Sequence, residues 1–218
     1  FERQGQINVG RFMKGILVKR LESSFYAFKR SVNRFVQSYI DFIDMYDNGR
    51  VLISKTVNVY ELIGEDDEET IQKLIEEEKV DEFKSDLFTK AFRPALEKDL
   101  NILKQIQELW QNVDTDPKLE KFEAELGVGG SLSNKKILVF TESLETGEYL
   151  FKKLKETYGG KVLLFSSKGG MYGSHRLLKS DARAIITSNY DPRAKDQKDD
   201  IQILISTDIL AEGVNLHR

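Results

Sequence analysis

The hydrophobic period of this chain changes once, at Gly127-Val128-Gly129-Gly130-Ser131, and no other feature constrains the fold as much. Before that point apolar residues recur at three- and four-residue steps, as in Met13, Ile16, Leu17, Leu21, Phe25, Phe28, Val32, Phe35, Val36, Tyr39 and Ile43. Such spacing is the stripe of an amphipathic helix. Unbroken from 9 to 46, the helix would be about 57 Å long at ~1.5 Å per residue, so a bend is expected near Glu22-Ser23-Ser24. Asn48-Gly49 carries the turn chemistry that ends it.

Residues 50–63 have strand character in Val51, Ile53, Val57 and Val59, with no partner strand evident. The acidic run at 64–69 suits a helix amino terminus, where acids complement the macrodipole, and Ile71, Leu74 and Ile75 begin a short helix. A longer helix follows through Leu96, Leu100, Leu103, Ile106, Leu109, Trp110 and Val113, with Pro94 at its first turn or at a kink. Asp114-Thr115-Asp116-Pro117 places a capping residue before a helix-starting proline, and 118–126 forms a last small helix.

Beyond the glycines the pattern alternates. Strands are expected at 136–140, 162–165 and 201–205, with helices at 144–158 and 177–188 between them. Strands alternating with helices mean βαβ units, a parallel sheet and right-handed crossovers. Three strands leave an open edge on a sheet type that is normally covered, so the lobe reads as partial. Lys168-Gly169-Gly170-Met171-Tyr172-Gly173-Ser174 lacks the ending of a phosphate loop and reads as a flexible connection. The expected fold class is α/β: an all-helical domain over 1–127, a linker at 128–132 and a partial parallel-sheet lobe over 133–218.

Composition excludes several functions. Among 218 residues there is no cysteine, so neither a disulfide framework nor a thiolate metal site is possible. His175 and His217 have no partners at metal-ligand spacing. No apolar run approaches the ~18 residues of a membrane span, and a cytoplasmic protein with no membrane partner is expected. The net charge of −3 divides as +5 over 1–60, −11 over 61–127 and +3 over 128–218. A basic start and end can track phosphates, whereas the acidic middle reads as a solvated helix face.

The densest chemistry lies in the final stretch, where Ile203-Leu204-Ile205 runs into Ser206-Thr207-Asp208 and then Gly213-Val214-Asn215. Polar groups at the carboxyl end of a buried parallel strand sit where open α/β sheets bind ligands. A threonine there can bond a phosphate through its hydroxyl without reading bases. Thr141 after the first strand, and Ser166 and Ser167 after the second, fall on the same sheet edge and could extend a phosphate track or cap helices.

This final stretch resembles motif V of superfamily-two helicases of the Swi/Snf-like branch. Residues 136–142 are similar to motif IV, and 162–167 fall where motif IVa does. Ile186-Thr187-Ser188-Asn189-Tyr190-Asp191-Pro192 resembles the segment that precedes motif V, and 17–24 resembles the helical part between the lobes of bacterial members. The resemblance implies a second RecA-like motor lobe joined to a helical inter-lobe region. It implies a parent that binds ATP and Mg²⁺ between this lobe and the first RecA-like lobe of the same chain, and that acts on nucleic acid, double-stranded DNA above all. It assigns Thr207 to the tracking strand, Gly213 to the neighbourhood of the γ-phosphate and Asn215 to the ATP ribose.

No Gly-x-x-x-x-Gly-Lys-Ser/Thr, no acidic box and no Gln-x-x-Gly-Arg-x-x-Arg occurs in the chain, so it is not expected to hydrolyse ATP by itself. Two other readings stay open. One is a non-catalytic module that docks nucleic acid or protein. The other is an unrelated Rossmann-like enzyme, which would need a glycine-rich turn where Phe140-Thr141-Glu142-Ser143 stands.

Overall fold

The computed structural model describes residues 2–54 and 80–207, in two compact units that divide between Asp114 and Thr115. The first unit holds helices α1 (Glu2–Ser23), α2 (Phe25–Asp47) and α3 (Phe92–Gln111), and an antiparallel ribbon of β1 (Arg50–Ser54) with β2 (Val80–Lys84). The expected bend falls at Ser24, in extended conformation with φ −162° and ψ 154°. Its hydroxyl accepts from the Ala27 amide at 3.1 Å, so one serine ends α1 and caps α2. The α2 stripe (Phe28, Val32, Phe35, Val36, Tyr39 and Ile43) packs with Met13 of α1 and with Leu100 and Leu103 of α3. Trp110 sets its ring edge-on to Phe25 at 4.9 Å and tilted against Phe28 at 4.6 Å.

Arg93 forks onto both oxygens of Asp47, at 2.8 and 2.9 Å, and clasps the start of α3 to the end of α2. Pro94 sits in the first turn of α3, where its missing amide costs no helical hydrogen bond. β1 does have a partner, contrary to the sequence reading. Its partner begins at Val80, and Val80-Asp81-Glu82-Phe83-Lys84 carries too many charges to read as a strand. The short helix expected from Ile71 lies outside the described residues.

The second unit begins with α4 (Pro117–Leu126), capped by Asp116, whose carboxylate accepts from the Leu119 amide at 3.1 Å. The sequence reading gave this helix to the helical domain, with the boundary at 127. Its Leu126 and Phe122 pack instead with Phe151, Leu154 and Ile137 of the α/β unit. The glycine stretch is not an inter-domain linker but a tight turn that closes α4. Leu132 donates its amide to Glu125 O at 3.0 Å, and a Cβ on Gly130 would lie 2.2 Å from that carbonyl. Lys121 first, and then the Ser131 hydroxyl and amide, hold the Glu125 carboxyl down to about 2.

β3 (Ile137–Phe140), α5 (Leu144–Tyr158), β4 (Val162–Ser166), β5 (Gly169–Tyr172), β6 (His175–Leu177), α6 (Lys179–Tyr190) and β7 (Ile203–Ser206) complete an α/β unit. The sheet order is β3-β7-β4-β5-β6, with β3, β7 and β4 parallel and β5 and β6 antiparallel additions. The segment expected to be a flexible loop is thus a double hairpin with two-residue turns at Ser167-Lys168 and Gly173-Ser174. Gly169 makes this possible: its φ is +106°, and a Cβ there would sit 2.4 Å from Leu177 O.

α5 covers one face of the sheet through Phe151 and Leu154 against Val162, Leu164, Ile203 and Ile205. α6 covers the other through Ala182, Ile186 and Tyr190 against Leu163, Phe165 and Leu204. Burial on both faces is why these strands read as continuous apolar runs. Among the described residues no helix is long and apolar enough to cross a membrane.

Candidate nucleic-acid interface

Side by side, the three parallel strands carry their carboxyl ends to one edge. Phe140, Ser206 and Phe165 are lateral neighbours in register. The ladder runs one residue further, since Thr141 donates its amide to Ser206 O at 3.0 Å and Thr207 donates its own to Phe165 O at 3.1 Å. Both threonines are therefore fixed to the sheet while remaining half-buried. The Ser206 hydroxyl donates to Thr207 O at 2.7 Å and holds the end of β7.

The four hydroxyls named from the sequence fare differently. Thr141 Oγ1 accepts from the Ser143 amide at 3.1 Å and lies 3.3 Å from the Ser143 carbonyl. It shapes the entry to α5, whose cap is Ser143, bonded to the Thr146 amide at 3.2 Å. Ser166 is buried, and its hydroxyl donates to Gly169 O at 3.3 Å and accepts from the Lys168 amide at 3.2 Å. Ser166 is thus engaged within the hairpin, whereas the sequence reading set it on the phosphate track. Ser167 is exposed at the hairpin tip beside exposed Lys168. Thr207 is the last described residue, so Gly213, Asn215 and Asp208 lie outside the described residues.

Sequence reasoning passed over several groups. Lys168 was set aside with the loop, yet the hairpin brings its charge to the edge. Phe140 ends a strand in the sequence reading, with no role given to its side chain, and it is 54% exposed. Glu145, in the first turn of α5, is 1% exposed, near the positive end of the helix dipole. Glu142 is exposed beside Thr141, so the edge is not uniformly basic. Among the described residues no three acidic or histidine side chains converge as a metal site.

The opposite edge holds a closed polar network. Asn189 is 1% exposed; its Oδ1 accepts from the amides of Asp200 at 2.8 Å and Ile201 at 3.0 Å, and its Nδ2 donates to Ile185 O at 3.0 Å. Lys136 donates to the Asn189 carbonyl, pairs with Asp199 at 2.7 Å and lies 5.1 Å from the Tyr190 ring centre. Burial first, and then the charge of Asp199, push the Tyr190 phenol above its ordinary range. Burial and then Asp116 push Tyr149 up to about 12, and that contact ties α5 to the cap of α4. No protein-family model, curated protein or solved structure matches this chain.

Proposed function

We propose that this chain is the backbone-gripping part of an ATP-dependent helicase or double-strand DNA translocase, with its α/β unit a partial second RecA-like lobe. The observation that carries the reading is the alignment of strand-end donors on one edge. Thr207 and Ser167 follow two neighbouring strands, Thr141 follows the third with its hydroxyl engaged on Ser143, and Lys168 adds a cation beside them. Hydroxyls held by a sheet can meet phosphates without reading sequence. A cation there gains affinity by releasing counterions from the backbone. The spacing is set by the sheet, so the grip needs no rearrangement of the strands.

In the parent, ATP with Mg²⁺ would supply the phosphoryl-transfer chemistry, with the first RecA-like lobe as partner. Gly213 and Asn215 are the residues that the resemblance assigns to the nucleotide. The chain alone should bind nucleic acid and not hydrolyse ATP. A non-catalytic binding module would share the grip but have no ATP-dependent step.

The test is fluorescence anisotropy of a short labelled DNA duplex with the full chain, titrated at several salt concentrations. Binding should weaken with a log–log slope of about 0.9 per phosphate neutralised. Thr207→Ala should lower affinity by roughly 3- to 10-fold, as expected for one lost hydrogen bond. Duplex binding that ignores both salt and Thr207→Ala would sink the reading.

A further inference from the structure

We propose that Phe140 is a stacking platform for an unpaired nucleobase, and that Arg183 receives a phosphate of the same strand. The inference rests on the nucleic-acid reading above and extends it, from a backbone grip to recognition of an unpaired base.

The argument starts from an anomaly within one row of the sheet. Phe140, Ser206 and Phe165 are lateral neighbours, and in a parallel sheet such neighbours project from the same face. The row behind them, Leu138, Leu204 and Leu163, belongs to the core under α6. In the front row Ser206 is 1% exposed and Phe165 0%, while Phe140 stands 54% exposed. The course of α6 explains this. It begins over β5, where Ala182 lies against Gly170, and ends at the amino end of β3, where Tyr190 reaches Ile137 O. Among the described residues, α6 therefore does not cover the carboxyl corner of β3 on that face. A phenylalanine there gains little from burial, whereas a base can stack on it whatever its sequence.

The Arg183 end of the row suits a polyanion. The Arg183 guanidinium lies 5.9 Å from the centre of the Phe165 ring, on the exposed side of α6. Phe140 and Phe165 are two strand spacings apart, about 10 Å between backbones. A strand with a base on Phe140 therefore runs its backbone along the row, past the end of β7, towards Arg183. An aromatic plane at one end and a cation at the other is the pairing of single-strand binding surfaces. A duplex keeps its bases stacked inside and cannot use Phe140. A second copy of the chain could bring a carboxylate to Arg183 but no base to Phe140, and the sedimentation arm below distinguishes it.

The experiment compares a labelled thymidine oligonucleotide with a duplex of equal length, binding both to the full chain by anisotropy. Phe140→Ala should weaken single-strand binding roughly 5- to 150-fold and leave the duplex unchanged. Phe140→Tyr should restore the affinity and Phe140→Leu should not, because the requirement is a ring rather than apolar bulk. Arg183→Gln should reduce the salt slope by about one. Single-strand binding unchanged in Phe140→Ala, or fully rescued by leucine, overturns the proposal. If Thr207→Ala still weakens duplex binding in that case, the backbone grip survives without the platform. If the wild-type chain binds neither strand form, the nucleic-acid reading falls and the platform with it. Sedimentation supplies the remaining arm: a wild-type dimer that Phe140→Ala converts to monomer makes this corner a self-interface and overturns the proposal.

Discussion

The two edges of the α/β sheet are built from similar residue types to opposite ends. At the amino edge, polar groups face inward and each contact closes on another: Asn189 on the amides of Asp200 and Ile201, Lys136 on Asp199 and the Asn189 carbonyl, Tyr190 on Ile137 O. At the carboxyl edge, Ser167 and Lys168 face outward, Thr141 and Thr207 are half-buried, and Phe140 is left bare. A closed buried network specifies one arrangement of the chain and makes the loss of any member costly. An open row of donors adds little to stability and remains able to bind. The pair of edges teaches that stability and recognition have been assigned to opposite ends of the same three strands.

The comparison predicts its own largest effect. Asn189→Ala leaves the buried Ile201 amide and the part-buried Asp200 amide without their acceptor and should lower unfolding free energy by about 2–3 kcal/mol. Urea unfolding followed by circular dichroism measures it, and hydrogen exchange should locate the loosening at 199–206. A change within about 0.5 kcal/mol would show that the amino edge is not the lock it is taken to be.

A second effect belongs to the same edge and is read by pH. The folded state raises the Tyr190 phenol above its ordinary value of 10.0, chiefly by burial. A phenol raised on folding contributes stability that is fully present below its unfolded pKa. That contribution falls as pH rises from about 10 towards the folded value. Unfolding free energy should therefore decline above about pH 10, and Tyr190→Phe should flatten part of the decline while keeping the packed ring. Tyr149, raised to about 12, adds a contribution of the same sign. An alkaline limb identical in Tyr190→Phe would remove the phenol from the account.

How much of this contrast was legible in the sequence depends on the range of the signal. The helix break at Ser24, the Asp116-Pro117 start and the three apolar strands are local, set by caps and hydrophobic period, and were readable. The β1–β2 pairing joins segments about 30 residues apart, and nothing in the charged run at 80–84 announces it. The Lys168–Ser174 segment misled because its glycines suggested a loop. Their actual uses are set by tertiary packing: Gly170 lets β5 approach Ala182 of α6, and Gly169 leaves room for Leu177 O of β6. The candidate track was readable as a set of strand-end hydroxyls, but not which of them face outward. Ser166 and Ser167 are neighbours in sequence, and only the turn geometry separates the buried one from the exposed one. Asn189 was read as part of a motif, whereas its hydrogen bonds depend on where the loop at 191–200 returns.

That separation gives a smaller and sharper test. Ser166→Ala removes a hydroxyl that donates and accepts within the β4–β5 hairpin, and should cost about 1 kcal/mol of stability with duplex affinity unchanged. Ser167→Ala should do the reverse, leaving urea unfolding in place and weakening duplex binding by a few-fold. Equal behaviour of the two variants in both assays would erase the distinction between turn-locking and outward-facing hydroxyls.

An equally small change in stability is expected at Thr207. Its amide is already bonded to Phe165 O, and the substitution to alanine keeps that bond while removing only the hydroxyl and a methyl group. Unfolding free energy should stay within about 0.5 kcal/mol of wild type, since neither a buried network nor a large apolar contact is lost. Nucleic-acid affinity should nonetheless fall, and because a neutral hydroxyl releases no counterion, the salt slope should not change. Lys168→Gln supplies the contrast: it should reduce the slope by about one with a similarly small effect on stability. If Thr207→Ala destabilised the fold as much as Asn189→Ala, the carboxyl edge would be as locked as the amino edge. Any loss of binding would then follow from unfolding rather than from a missing contact, and the division of labour between the two edges would fail at the residue on which it most depends.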